Sequence, residues 1–321
     1  MSFTVIGQHQ KDKRALREGY VDTLSHLMEQ DPAVVHVDCD LFNCIGVAKL
    51  HKQYPDRVIN AGIAEANGMG VAAGLAATGK KVFFHSFGCF ASRRAFDQAF
   101  LSVGYSQLPV RILGSDPGVS AAYNGGTHMP FEDGALYLSV PGATVIDVCD
   151  YAQAASVFRQ IVDRPGLTYV RIVRKGFVTV YEDGSEFTVG RGAVLRPGTD
   201  VTVFASGIMV DEALRAQEML REQGISARIV DLFTWKPLDE PLILQCAQET
   251  GAVVTAENHN VTCGLGSAVA SLLARKRPTP MEMVGVEDRF GQVGPVPFLQ
   301  EEYGLTAAHI VQAAQAVLNR K

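Results

Sequence analysis

The chain is 321 residues long, which suits two domains of ordinary size better than one. Apolar residues make up 47% and charged residues 20%, enough for a dense core and against disorder as the main state. The 29 Lys and Arg against 34 Asp and Glu give a net charge of −5 with no basic block, so the composition offers no electrostatic grip on nucleic acid or anionic lipid. MSFTVIGQHQKDKR lacks the apolar stretch of a secretory signal, and no apolar run reaches the length of a membrane span, so a soluble cytoplasmic protein is expected.

In chain order, residues 12–30 read as a helix, with Leu16, Tyr20, Leu24, Leu27 and Met28 near helical spacing. VVHVD (34–38) reads as a strand, followed by a helix to about Tyr54. VIN (58–60) then leads into AGIAEANGMGVAAGLAATG, a helix of small residues. Four further apolar runs continue the strand series at 81–87, 109–115, 143–148 and 167–173, with helices between them. Strands this apolar, separated by helices, predict a parallel sheet covered on both faces.

Residues 175–200 break the rhythm with Gly, Asp and Pro, and a division into 1–185 and 186–321 is expected. The pattern restarts with strands at 200–206, 226–233, 251–258 and 281–288. Helices are expected at 209–223, 239–249, 265–276 and 306–319. The fold class is therefore α/β, with two doubly wound domains, the second smaller.

The six cysteines (39, 44, 89, 149, 246 and 263) form no CxxC pair and no zinc spacing, so reduced packing thiols and no metal site are expected. Gly264-Leu-Gly-Ser267 lacks a full phosphate-loop pattern and reads better as helix packing. No Ser-His-Asp or Cys-His arrangement follows from spacing.

Three places can carry chemistry. Glu65 sits between alanines in the glycine-rich helix; desolvation there would raise its pKa, unless the helix N-terminus simply favours an acidic residue at this point. Phe87 and Phe90, close to His85 and Cys89, could stack on a flat heterocycle or serve as core. His128, in YNGGTHMP, could act as acid, base or donor from a loop, or cap the helix starting near Phe131.

Taken together, GIAEANGMGVAAG (62–74), SFGCFASRRAFDQ (86–98), GGTHMP (125–130), VDCDL (37–41), YVRIVRKG (169–176) and AENHNVTCGLGSAV (256–269) resemble the transketolase family of thiamine-diphosphate enzymes over essentially the whole chain. The resemblance implies a pyrimidine-binding domain followed by a transketolase C-terminal domain. The family's diphosphate- and Mg²⁺-binding GDG motif does not occur, so the resemblance implies one subunit of a split transketolase, assembled two-plus-two with a subunit that holds the diphosphate and Mg²⁺.

The resemblance also implies roles for residues. Glu65 matches the glutamate that hydrogen-bonds the cofactor's aminopyrimidine, Phe90 the aromatic stacked on it, and Phe87 its companion. His128 matches the histidine that contacts substrate oxygens, and Asp40 a carboxylate near the cofactor or at the subunit interface. Arg17 and Arg174 match arginines that grip a sugar phosphate. Three positions depart: Ser115 stands where a second histidine is usual, Cys44 where a hydroxyl is usual, and Asn124 where an aspartate is common. These departures imply ketol transfer on a non-standard sugar substrate. The β subunit of a 2-oxoacid dehydrogenase and a non-catalytic assembly subunit are the alternatives. Glu257, Asn258 and His259 are expected to be structural, or at most a rim contact.

Overall fold

The computed structural model describes residues 1–321. The first half contains α1 (Leu16–Gln30), β1 (Val34–Asp38), α2 (Phe42–Ile45), α3 (Ala48–Gln53), β2 (Val58–Asn60), α4 (Glu65–Ala77), β3 (Lys81–Phe87), α5 (Phe96–Gln98), β4 (Val110–Ser115), α6 (Asp133–Leu138), β5 (Thr144–Asp147), α7 (Tyr151–Ile161) and β6 (Thr168–Ile172). The second contains β7 (Ala193–Arg196), β8 (Val201–Ala205), α8 (Met209–Glu222), β9 (Ala227–Asp231), β10 (Thr234–Lys236), α9 (Glu240–Thr250), β11 (Val253–Asn260), α10 (Leu265–Lys276), β12 (Met281–Val286), α11 (Val296–Glu302) and α12 (Ala307–Leu318).

The strands form a seven-stranded sheet, β10-β5-β6-β4-β3-β1-β2, and a five-stranded sheet, β12-β11-β8-β9-β7. Only β10 and β7 run antiparallel to their neighbours. Every residue of β1, β4, β5, β6 and β8 is buried, as expected for strands covered by helices on both faces. The strand runs read from the sequence therefore hold to within a few residues.

Three features differ from the sequence expectation. The helix expected up to Tyr54 is two short helices, because Gly46 adopts φ +102° after α2 and turns the chain. β10 comes from the second half of the chain yet pairs with β5 of the first sheet. Its three residues carry no period, so only the tertiary fold reveals the pairing. α11, with seven residues, is likewise too short to show one.

The two halves are tied together by buried polar groups. Arg171 donates to Asp133 and Asp147, both at 3.0 Å, and to the carbonyl of Asn258 at 2.8 Å, while Trp235 packs against its guanidinium. Asp231, at the end of β9, accepts from Tyr181 (2.7 Å) and Gln153 (2.6 Å). Residues 178–186 also fold back on the N-terminal segment through bridges at Ser2, Val5 and Lys11.

Candidate active site

The parallel register brings Asp38, His85 and Leu113 side by side, and then Phe87, Ser115 and Ile172. The loops leaving these carboxyl ends carry nearly every residue singled out from the sequence. Ligand sites of open α/β sheets lie at this edge.

Glu65 is the first residue of α4 and is 1% exposed, so helix start and burial coincide. Ser86 donates to its Oε1 at 3.1 Å and Arg94 to its Oε2 at 2.7 Å. Both carboxyl oxygens of this buried group therefore have a hydrogen-bond partner within the chain. The Arg94 guanidinium also lies 4.1 Å from the centre of the Phe90 ring. α4 can approach β3 closely only at Gly68, where a Cβ would stand 3.1 Å from the Phe84 ring; Gly70 and Gly74 face open space.

His128 does not cap a helix, since α6 begins at Asp133. Its ring instead meets Phe90 edge-on at 5.1 Å and Phe87 at 5.8 Å, with Phe87 and Phe90 6.2 Å apart. The loop that presents it is fixed by close contacts with the second half of the chain. Asn258 accepts from the backbone of Val119 and donates to the carbonyl of Pro117, and a Cβ on Gly126 would stand 2.2 Å from the Gly291 carbonyl. Asn124 is exposed on the same loop.

Arg174 lies 4.6 Å over the Phe87 ring and is paired with Asp116, which also accepts from its backbone N–H at 3.0 Å. Asp116 has φ +55°, a strained value for a residue other than glycine. The N–H of Leu16 bonds the carbonyl of Lys175 at 3.1 Å, which ties the start of α1 to the segment after β6; the Arg17 guanidinium itself donates to the carbonyl of Cys44. Asp40 is exposed, with φ +63°, and accepts from the Asn60 amide at 3.0 Å.

Ser115 is the exception to the exposed edge. It is fully buried, and its Oγ lies 3.0 Å from His85 Nε2. His85 Nδ1 lies 2.7 Å from Asp38, which is 3.4 Å from His36, which is 2.7 Å from the Tyr20 hydroxyl. A Ser-His-Asp arrangement is thus present, although three separate strands supply it and no sequence spacing could show it. Burial opposes the charge of Asp38, yet the charge of His85 and hydrogen bonds from both imidazoles hold its carboxyl well below the usual range. His36, Asp38 and His85 offer metal-ligating atoms within 4.8 Å of one another. Their geometry is accounted for by direct hydrogen bonds, and an ion between them would have to spread the 2.7 Å contact.

Arg94 and Asp116 are the site residues that sequence reasoning missed. Arg94 follows Phe90 by four residues in a helical segment, and that spacing was the available signal. Asp116 offered none. Glu257, Asn258 and His259 are buried and structural. Glu257 accepts from the N–H groups of Leu265 and Gly266 at 2.7 Å each, which fills the N-terminus of α10. A Cβ on Gly264 would stand 1.9 Å from that carboxylate, so the Gly264-Leu-Gly-Ser267 run is a packing device.

Residues 12–177 match the transketolase pyrimidine binding domain and residues 190–310 the transketolase C-terminal domain. The chain belongs to the transketolase family. It is 49% identical over 306 residues, 95% of each chain, to the 6-deoxy-6-sulfo-D-fructose transketolase subunit SqwH of Clostridium sp. (strain MSTE9). It is 36% identical over 301 residues to one of the subunits of the apulose-4-phosphate transketolase of Phocaeicola vulgatus, covering 94% of this chain and 96% of that one. A solved split gene transketolase, described as an inactive beta4 tetramer, superposes with a TM-score of 0.89 at 41% identity, over 95% of this chain and 98% of that one. Split transketolase subunits are thus among its similar proteins, and family membership implies thiamine diphosphate chemistry. No helix is long and apolar enough to cross a membrane.

Proposed function

We propose that this chain is the pyrimidine-binding subunit of a two-subunit transketolase that moves a two-carbon ketol unit from a ketose to an aldose. The observation that carries this is the buried Glu65 carboxylate, held by Ser86 and Arg94 at the edge of the Phe87, Phe90 and His128 rings. A carboxyl group, which donates when protonated and accepts when ionised, beside flat aromatic rings suits the ring nitrogen and the faces of an aminopyrimidine, so the residues present fit that half of thiamine diphosphate. The diphosphate and Mg²⁺ fall to a partner subunit, in a two-plus-two assembly. The domain limits are 1–185 and 186–321.

When bound, the cofactor supplies the electron sink for cleavage of the ketose C2–C3 bond. Glu65 holds and exchanges a proton at the pyrimidine ring, and Phe90 fixes the plane of that ring with Phe87 behind it. His128 reaches the substrate oxygens and moves protons there. Asp40 completes the cofactor side from the end of β1. Arg17 and Arg174 hold the anionic end of the sugar and Asn124 reads a hydroxyl from the exposed loop, while Ser115, expected from the sequence to touch the sugar, lies buried beneath this edge against His85. Relatives named for a sulfo-sugar and for apulose 4-phosphate support a sugar outside the usual pentose phosphates.

The test is ketol transfer by this chain with and without its co-purifying partner, given thiamine diphosphate and Mg²⁺, over a panel of anionic ketoses. Transfer only with the partner supports the proposal. Decarboxylation of a 2-oxoacid without ketol transfer would place the pair with the dehydrogenases instead.

A further inference from the structure

Asn258, near the end of β11 in the second half of the chain, is buried and so acts on no substrate directly. Its Oδ1 accepts from the N–H of Val119 and its Nδ2 donates to the carbonyl of Pro117, both at 2.9 Å, so one amide spans the two sides of Gly118. Gly118 admits it, since a Cβ there would stand 2.1 Å from Oδ1. The N–H of Gly118 bonds the carbonyl of Pro130 at 2.9 Å, two residues beyond His128. Pro130 in turn sits on Gly88, the residue after Phe87, where a Cβ would come within 3.1 Å of its ring. Asn258 is itself held, because Arg171 donates to its carbonyl at 2.8 Å, and two residues on the N–H of Asn260 bonds the carbonyl of Phe131 at 2.9 Å.

Resting on the ketol-transfer function above, we propose that Asn258 is a positioning residue, which fixes the 117–131 loop so that His128 stands against the Phe87 and Phe90 rings. The second half of the chain thereby contributes to turnover. The loop needs such a hold: φ is positive at Asp116 (+55°), Gly118 (+54°), Ala122 (+50°) and Gly125 (+80°), and two of these residues are not glycine. A backbone of this kind persists only where its surroundings secure it. The His128 ring has no anchor of its own outside the loop, since its side-chain hydrogen bond goes to the neighbouring Thr127 hydroxyl at 3.0 Å. Its place therefore follows the loop, and a displacement of about 1 Å at a reacting group can cost about a hundredfold in rate.

The test uses the assembled enzyme, this chain with its co-purifying partner, thiamine diphosphate and Mg²⁺. Asn258→Ala is expected to lower kcat for ketol transfer about tenfold to a hundredfold. The cofactor Kd should stay as in the wild type, because Glu65, Phe87 and Phe90 lie outside the loop. The deciding measurement is the cycle with His128→Ala: in that background N258A should cost less than about twofold, whereas independent losses would multiply. Amide exchange of the 117–131 segment, read by mass spectrometry, should quicken in N258A while that of β4 is unchanged. Asn258→Asp keeps the shape and the bond to Val119 but loses the amide donor to Pro117. It should lose kcat through the same cycle, which keeps a test available if N258A folds poorly. A full further loss in the H128A background, or wild-type exchange in the loop, overturns the proposal. A wild-type assembly without ketol transfer, with the loop still loosened in N258A, would sink the transfer function while sustaining the hold of Asn258 on the loop.

Discussion

Arg94 binds the Glu65 carboxylate at 2.7 Å while its guanidinium lies 4.1 Å over the Phe90 ring, so one side chain orients both groups proposed to face the pyrimidine. Replacing Glu65 by Ala is expected to lower kcat by about a hundredfold or more, the range of a lost acid–base group. Subunit assembly, measured by size exclusion, should persist, because Arg94 is half exposed and finds water. Arg94→Met is expected to raise the cofactor Kd about tenfold, the effect of one charged hydrogen bond. Wild-type turnover in E65A would remove Glu65 from the mechanism.

His128 and Phe90 touch at 5.1 Å but are assigned separate tasks, and kinetics should divide them. His128→Ala is expected to reduce kcat by about tenfold to a hundredfold with the cofactor Kd nearly unchanged. Phe90→Ala should chiefly weaken cofactor binding, by roughly 1 kcal/mol or more from lost ring contact. Equal losses of both quantities in both variants would mean that the two rings serve only to pack the loop.

Asp231 joins β9 to Tyr181 and Gln153, and burial pushes its pKa from the ordinary 3.8 up to about 7. A carboxyl that binds its proton more tightly in the folded state stabilises the fold fully below its unfolded pKa. That contribution is lost as pH climbs from about 4 to about 7, at about 1.4 kcal/mol per pH unit. Asp231→Asn mimics the protonated acid, and its amide takes the place of Oδ1, which has no partner. Thermal unfolding followed through the single tryptophan, the buried Trp235, should show a flatter pH profile in D231N and greater stability than wild type above pH 7. Parallel profiles in the two proteins would show that Asp231 is ionised in the fold.

The glycines of α4 divide into two kinds. An Ala at Gly68 would meet Phe84, Ala61 and Cys39 at 3.1–3.2 Å and should cost about 1–3 kcal/mol by overpacking. At Gly74 nothing lies within 4 Å, so Ala there should stabilise the isolated chain by up to about 1 kcal/mol. Denaturant unfolding of the two variants checks both signs.

The sequence alone determined the order of strands and helices, because the buried strands are short apolar runs and the longer helices carry their own period. It also marked Glu65, Phe87, Phe90 and His128, whose surroundings of small residues and loop glycines are local signals. The tertiary structure decided the rest. β10 joins the first sheet from the second half of the chain, a pairing its three residues could not encode. Ser115, His85 and Asp38 meet because three strands lie in register, although 30 and 47 residues separate them. Arg174 was legible as a candidate, but its neutralisation by Asp116, 58 residues away, was not. Local composition selects elements and loops, whereas charge balance belongs to groups that only the folded chain brings together.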